Sequence, residues 1–399
     1  MYRHDNKELE SNFTKQFVKM TQPVRVAFRS ESVQNFADWV EETPTVKQNL
    51  VNMVIQHSLK ADSTFELGSY LDFFKCLDEI IAASPQFGRT LARACPFYSL
   101  LWDFRLCSEA VELFRNQGVN EHFKHVLKEW CVLLSSPRSL DCLHTGPTGF
   151  LSPEADRQMD FSQYEMDMTL PHAGFRSFNE FFARAVKPEL RPIASPDDDS
   201  VVVSPCDSRP DQVSQNIYET SFFWIKKGLY SLKELLGSSE HKEAFVGGTA
   251  IQAYLNPFDY HGWHAPVTGT VIEIQQLEGF YFPLPDVMTG NTDTLWYLSH
   301  LNARAIIIIQ ADHEPLGKVA LINVGMGEVS SCLIYPEITV GKRIKKGEKI
   351  GTFQFGGSTY CLLFEPGAIA EVTLKEEEDN TGFKKLKMGQ KIARGAPKS

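Results

Sequence analysis

Two glycines and a serine, in Phe355-Gly356-Gly357-Ser358, stand directly before the apolar run Thr359-Tyr360-Cys361-Leu362-Leu363-Phe364. A short run of that composition reads as a buried strand. The glycines before it admit backbone angles closed to other residues. The chain is therefore constrained to a sheet in which one strand starts at a conformationally free turn. With no Cβ atoms at 356 and 357, the Ser358 hydroxyl can reach the carbonyl that precedes it, an attack that side chains would crowd. Cleavage there would leave a new N-terminus at position 358. Taken alone, such tetrapeptides belong to ordinary turns.

Two other segments carry groups that could activate a serine. Asp259-Tyr260-His261-Gly262-Trp263-His264-Ala265-Pro266-Val267 places two imidazoles three residues apart. Ser204-Pro205-Cys206-Asp207 sets a carboxylate just after the strand-like Val201-Val202-Val203. A hydroxyl, a base and an acid that orients the base are what nucleophilic serine chemistry requires. The residues alone leave His261 and His264 open to three readings: metal ligands, catalytic groups or structural side chains. Pro257 and Pro266 favour a loop entering a strand, and no third ligand cluster stands nearby, so no metal is expected.

In order and spacing, the Asp-Tyr-His-x-x-His-x-Pro-Val segment, the Gly-Gly-Ser-Thr segment and the Ser-Pro-x-Asp segment resemble the phosphatidylserine decarboxylase family. So do Phe178-Asn179-Glu180-Phe181-Phe182-Ala183-Arg184, Lys187-Pro188-Glu189-Leu190-Arg191-Pro192-Ile193 and Leu301-Asn302-Ala303-Arg304, over roughly residues 171–370. Phe123 to Trp130 and Leu134 to Ser139 are similar to the helical extension of a fungal branch, which includes decarboxylases of free tryptophan. The chain departs from the family pattern at Gly356, where leucine is common. It departs also at Ser208, where glycine often follows the aspartate, and at Gly262-Trp263, where arginine usually comes first.

The resemblance implies a chain that cleaves itself between Gly357 and Ser358, with Ser358 becoming a pyruvoyl group; no pyridoxal phosphate is expected. It implies Asp207 orienting His264, His264 as the base for cleavage, and His261 as the proton donor in decarboxylation. Phe280, Tyr281 and Phe282 would wall the substrate pocket. The implied activity is a carboxy-lyase acting on a free, tryptophan-like L-amino acid, with phosphatidylserine as the alternative substrate. A serine hydrolase that never cleaves itself and a non-catalytic binding protein are the readings from other classes. The two fragments of the cleaved chain would stay associated.

Residues 1–165 read as a helical domain, with Leu71, Phe74, Leu77, Ile80 and Ile81 at helical spacing behind a Ser69 to Asp72 capping signal. A second stripe joins Phe123, Val126, Leu127, Trp130, Leu133 and Leu134. After a polar linker, residues 171–399 read as a β-rich, barrel- or sandwich-like catalytic domain, so the fold class is α+β. Strands are expected at Val201 to Val203, Val267 to Ile274, Arg304 to Gln310, Val319 to Val324 and Thr359 to Phe364. The charged tail, Lys375 to Asp379 and then Lys384 to Ser399, is expected to fray. A net charge of −10 argues against a nucleic-acid partner and limits membrane contact to the periphery. The polar start of the chain and the want of a long apolar run lead to a cytoplasmic expectation. The 8 cysteines, never spaced Cys-x-x-Cys, are expected to be reduced thiols.

Overall fold

The computed structural model describes residues 26–58, 67–88, 91–105, 107–218, 232–279, 281, 302–328, 331–378 and 384–398. Helices fill the first part: Glu31–Glu42, Pro44–Ser58, Tyr70–Ile81 and Gln117–Leu134 are the longest. Two of these starts have a local cause. The Asp72 carboxylate reaches back to the Ser69 N–H at 2.7 Å, and Asn116 Oδ1 accepts the Val119 N–H at 3.2 Å. The expected stripes are buried at Leu71, Phe74, Leu77, Ile81, Phe123, Val126, Leu127, Trp130 and Leu134. Ile80 and Leu133 lie at the flank, half-buried.

The second part is antiparallel sheet throughout. Its strands are β1 (Val201–Val203), β2 (Arg209–Gln215), β3 (Thr249–Leu255), β4 (Gly262–His264), β5 (Gly269–Leu277), β6 (Arg304–Ala311), β7 (Lys318–Met326), β8 (Cys332–Ile334), β9 (Arg343–Ile344), β10 (Lys349–Phe353), β11 (Gly357–Phe364), β12 (Ile369–Val372), β13 (Glu377–Glu378), β14 (Lys384–Lys385) and β15 (Lys391–Gly395). The main sheet runs β2-β3-β11-β7-β6-β5-β9 and smaller sheets run β4-β10-β8 and β1-β15-β12. Every strand expected from the sequence is present. The barrel is not, because the main sheet ends at β2 and β9 and stays open. Both of its faces are covered instead. Ile251, Ile307, Leu321, Tyr360 and Leu362 belong to one apolar cluster, and Ala250, Ile306, Ile308, Ile322 and Leu363 to another. Burial on both faces explains why Ala305 to Ile309 is continuously apolar rather than alternating.

The tail does not fray. Strand β15 pairs with β1 and β12, and Leu386, Ile392 and Ala393 are fully buried. Charged residues between those apolar ones face outward from a paired strand, a pattern that resembles a loose end when no partner is visible. The helical layer also reaches past its expected boundary. Its core includes Phe178, Phe181, Phe182 and Val186 and takes in Tyr260, Phe355 and Met388 of the β-rich part.

Candidate active site

Ser358 is the second residue of β11, which lies between β3 and β7, so the strand starts inside the sheet rather than at an edge. The register partners of Ser358 are Leu255 and Gly325, while Gly357 pairs with Met326. Alternation puts Ser358 on the face of Tyr360, Leu362 and Phe364. The side chain is 2 % exposed, and its Oγ has no hydrogen-bond partner. Just before it, Gly356 holds φ at 140°, a conformation that a leucine would adopt only under strain. The departure from leucine at 356 therefore suits this backbone.

The loop and strand from Asp259 to His264 carry both histidines. The fully buried His261 packs its ring on Phe182 at 4.1 Å and edge-on to Phe353. Its Nδ1 lies 2.9 Å from the Asp259 carbonyl. A carbonyl can only accept, so Nδ1 bears the proton and Nε2 presents a lone pair. That lone pair is buried without a partner, and the Gly356 backbone lies close by. Burial lowers the pKa of His261 to about 3, helped by Arg184, whose guanidinium lies 4.1 Å over the Tyr164 ring.

His264 sits at the other end of β4, opposite Lys349 of β10. Its Nδ1 donates to the Gly347 carbonyl at 2.7 Å, leaving Nε2 to accept from the Tyr260 hydroxyl at 2.9 Å. Burial lowers its pKa to about 4; Lys349 adds to the drop, while the Gly347 carbonyl and the Asp207 charge oppose it. Gly262 is needed for this arrangement, since a Cβ there would meet the Tyr260 hydroxyl at 2.1 Å.

Asp207 does not hydrogen-bond to His264, and here the expectation is corrected. Its oxygens are taken by the Arg191 guanidinium, at 2.9 and 2.6 Å, and by the Met388 N–H at 2.8 Å. A planar guanidinium matches both carboxylate oxygens at once, which a single imidazole N–H cannot do. Burial alone would raise the pKa of the fully buried Asp207, yet Arg191, with Lys385 and the Met388 N–H, holds it below the usual carboxylate range. What Asp207 exerts on His264 is its field. Ser204 and Ser208, on either side of the Asp207 turn, both place their hydroxyls 3.3 Å from that of Tyr360. Ser208 thus has a use for its side chain that glycine would lack.

Of the aromatic loop, Phe280 and Phe282 lie outside the described residues. Tyr281 is described and half-buried; it takes part in the helical core, and its N–H donates to Asn120 Oδ1 at 3.0 Å. The sequence reading missed the role of Tyr260, though it stands inside a quoted segment. It also missed Glu328, a buried carboxyl three residues beyond Gly325. Among the described residues, no group of three or more His, Cys, Asp or Glu side chains could hold a metal ion. No helix among them is long and apolar enough to cross a membrane.

A buried serine behind a free glycine turn, with the neutral His261 beside the Gly356 backbone, suits acyl chemistry on the chain's own backbone. A family model described as phosphatidylserine decarboxylase matches residues 178–394, and a second of that description matches residues 30–159. The chain is similar to the decarboxylase iboD of Amanita muscaria, 34% identical over 73% of this chain and 92% of that protein. It is similar to the L-tryptophan decarboxylase of Psilocybe cubensis, 28% identical over 88% of this chain and 84% of that one. A phosphatidylserine decarboxylase proenzyme of Clostridium perfringens is 35% identical over 58% of this chain and 76% of its own. The chain is a decarboxylase and belongs to the phosphatidylserine decarboxylase family.

Proposed function

We propose that this decarboxylase cleaves itself between Gly357 and Ser358 and then releases carbon dioxide from a free aromatic L-amino acid. The observation that carries the first half is the buried, unpartnered Ser358 Oγ behind Gly356 at φ 140°. A buried hydroxyl without a partner is unusual and calls for a reason. Here the reason is attack. Ser358 Oγ adds to the Gly357 carbonyl and gives its proton to His264. The C–N bond then breaks as the Ser358 nitrogen takes a proton, leaving an ester. Loss of the Cα proton and of the Gly357 carboxylate gives dehydroalanine at 358, and water replaces ammonia to leave the pyruvoyl ketone.

Tyr260 must swing off His264 Nε2 for that proton transfer, while the Asp207 charge favours the imidazolium that forms. A second assignment has its own support: the free Nε2 of His261 lies beside Gly356, so His261 could take the proton instead. Once formed, the ketone would supply an electron sink for a bound amine-bearing acid. His261, walled by Phe182 and Phe353, would hold and deliver the proton to the substrate carbon. The small fragment stays in place because β11 is paired on both sides.

For the substrate, the L-tryptophan decarboxylase matches 88% of this chain, the helical part as well as the catalytic part, which favours a free amino acid. The clostridial proenzyme supports phosphatidylserine as the second reading. The test is mass spectrometry of the purified protein, followed by a carbon dioxide assay over the twenty amino acids and phosphatidylserine micelles. Fragments 1–357 and 358–399, the latter blocked to Edman degradation, are expected, with tryptophan or phenylalanine turned over first. A full-length chain that still releases carbon dioxide would overturn the mechanism, and turnover of the lipid alone would overturn the substrate.

A further inference from the structure

Glu328 is fully buried, and the chain around it is fixed at both ends. On one side Met326 pairs with Gly357; on the other the Ser331 carbonyl accepts the Gln354 N–H at 2.9 Å. Glu328 therefore borders Phe355 to Gly357, the stretch leading into the scission point. Its Oε1 accepts the Tyr98 N–H at 3.0 Å, from the first turn of the helix Pro96–Trp102. Its Oε2 has no partner. An unfilled buried acceptor costs on the order of 1–3 kcal/mol, so the position asks for a donor.

Beside it stand the buried Cys95 thiol and the start of an aromatic segment. Tyr98 stacks on Trp102 with ring centroids 5.6 Å apart, and it lies against Gly327. The Gly327 N–H donates to the Tyr281 carbonyl at 3.3 Å, which brings Tyr281 to the residue next to the same carboxyl. Apolar rings with a single convergent acceptor are the composition of a small-ligand pocket. Burial pushes the Glu328 pKa up to about 8, against the pull of the Tyr98 and Phe97 N–H groups. A further donor at Oε2 would favour the charged form as those two do.

We propose that Glu328 is the specificity residue of the substrate pocket, its Oε2 accepting a hydrogen bond from an N–H on the aromatic side chain of the substrate, such as that of indole. This rests on the reading of the chain as an aromatic amino-acid decarboxylase. The probes are L-tryptophan and 3-benzothienyl-L-alanine, in which sulfur replaces the indole N–H at nearly equal size. The wild-type enzyme should prefer tryptophan at least about tenfold in kcat/KM, since a site built around a hydrogen bond rejects an analogue lacking it. In E328Q the amide oxygen keeps the Tyr98 N–H, while the amide NH2 replaces Oε2 and faces donor with donor. That variant should raise KM for tryptophan and bring the preference close to one, a ratio of two substrates on the same cleaved enzyme that a folding defect would not move. A wild-type enzyme indifferent to the sulfur, or an E328Q enzyme with an unchanged preference, overturns the proposal. A cleaved wild type that turns over other substrates but neither probe overturns the Glu328 proposal and leaves the pyruvoyl chemistry standing. A wild type that never cleaves removes both.

Discussion

His261 and His264 stand at opposite ends of the same short stretch, and their surroundings differ in kind. His261 is enclosed by Phe182, Phe353 and the Gly356 backbone, with one nitrogen fixed by a carbonyl and the other empty. His264 has both nitrogens tied, and it lies within the fields of Lys349 and Asp207. Burial keeps both rings neutral, so charge does not separate them. What separates them is access and the neighbouring field. A dry ring with a free lone pair is set to exchange a proton, whereas a ring near a buried carboxylate is set to carry a positive charge for a moment.

The largest effect expected is on cleavage itself. Ser358→Ala should leave one full-length band on a denaturing gel, and His264→Ala should do the same. His261→Ala should still cleave but lose roughly 10²- to 10⁴-fold in decarboxylation. If His261→Ala stays uncut while His264→Ala is processed, the two roles exchange.

Next in size is the ion pair behind His264. Arg191→Met strands the buried Asp207 charge, and chemical denaturation should register a loss of about 3–5 kcal/mol. Arg191→Met combined with Asp207→Leu should recover most of it. A single variant as stable as the wild type would mean that Asp207 takes up a proton at little cost.

The third test uses pH. The base works as neutral imidazole, and with folded values of about 3 and 4 both rings stay neutral well below the ordinary range. The single-turnover cleavage rate should therefore stay level from about pH 7 to about pH 5 instead of falling near 6.5. Stability behaves differently. In the unfolded chain these imidazoles bind protons that the fold refuses, so their contribution is complete above about 6.5 and is lost as pH falls toward the folded values. The difference in unfolding free energy between the wild type and His261→Asn/His264→Asn should shrink over that window. A cleavage rate that halves near 6.5 would show an exposed base.

The smallest effect concerns Tyr260. Tyr260→Phe removes the hydroxyl from His264 Nε2, with a loss near 1 kcal/mol in stability. Cleavage should be a few times faster, because the lone pair is freed. A slower rate would show that the hydroxyl aims the ring rather than covering it.

Much of this fold can be read along the chain. Helical stripes announce themselves because packing against a core imposes a period near 3.6, and the runs from Val201, Arg304, Val319 and Thr359 because strands buried on both faces have no room for polar side chains. The serine and both histidines could be singled out because each stands in a compact segment whose order and spacing resemble one family. Less legible were the groups that hold them. The tail read as loose because its apolar residues, Leu386, Ile392 and Ala393, are few among charges, and β1, their partner sheet strand, lies almost two hundred residues earlier.

By itself, then, the order of residues determined where helices and strands form and which compact segments carry the serine, the histidines and the carboxylate. Only the tertiary structure decided that Arg191 rather than His264 holds Asp207, that Tyr260 covers one imidazole while the other stays open, and that the buried Glu328 meets the Tyr98 N–H. These are contacts between segments whose separation along the chain carries no period. A hydrogen bond depends on distances of about 3 Å, and these are set only when the layers pack.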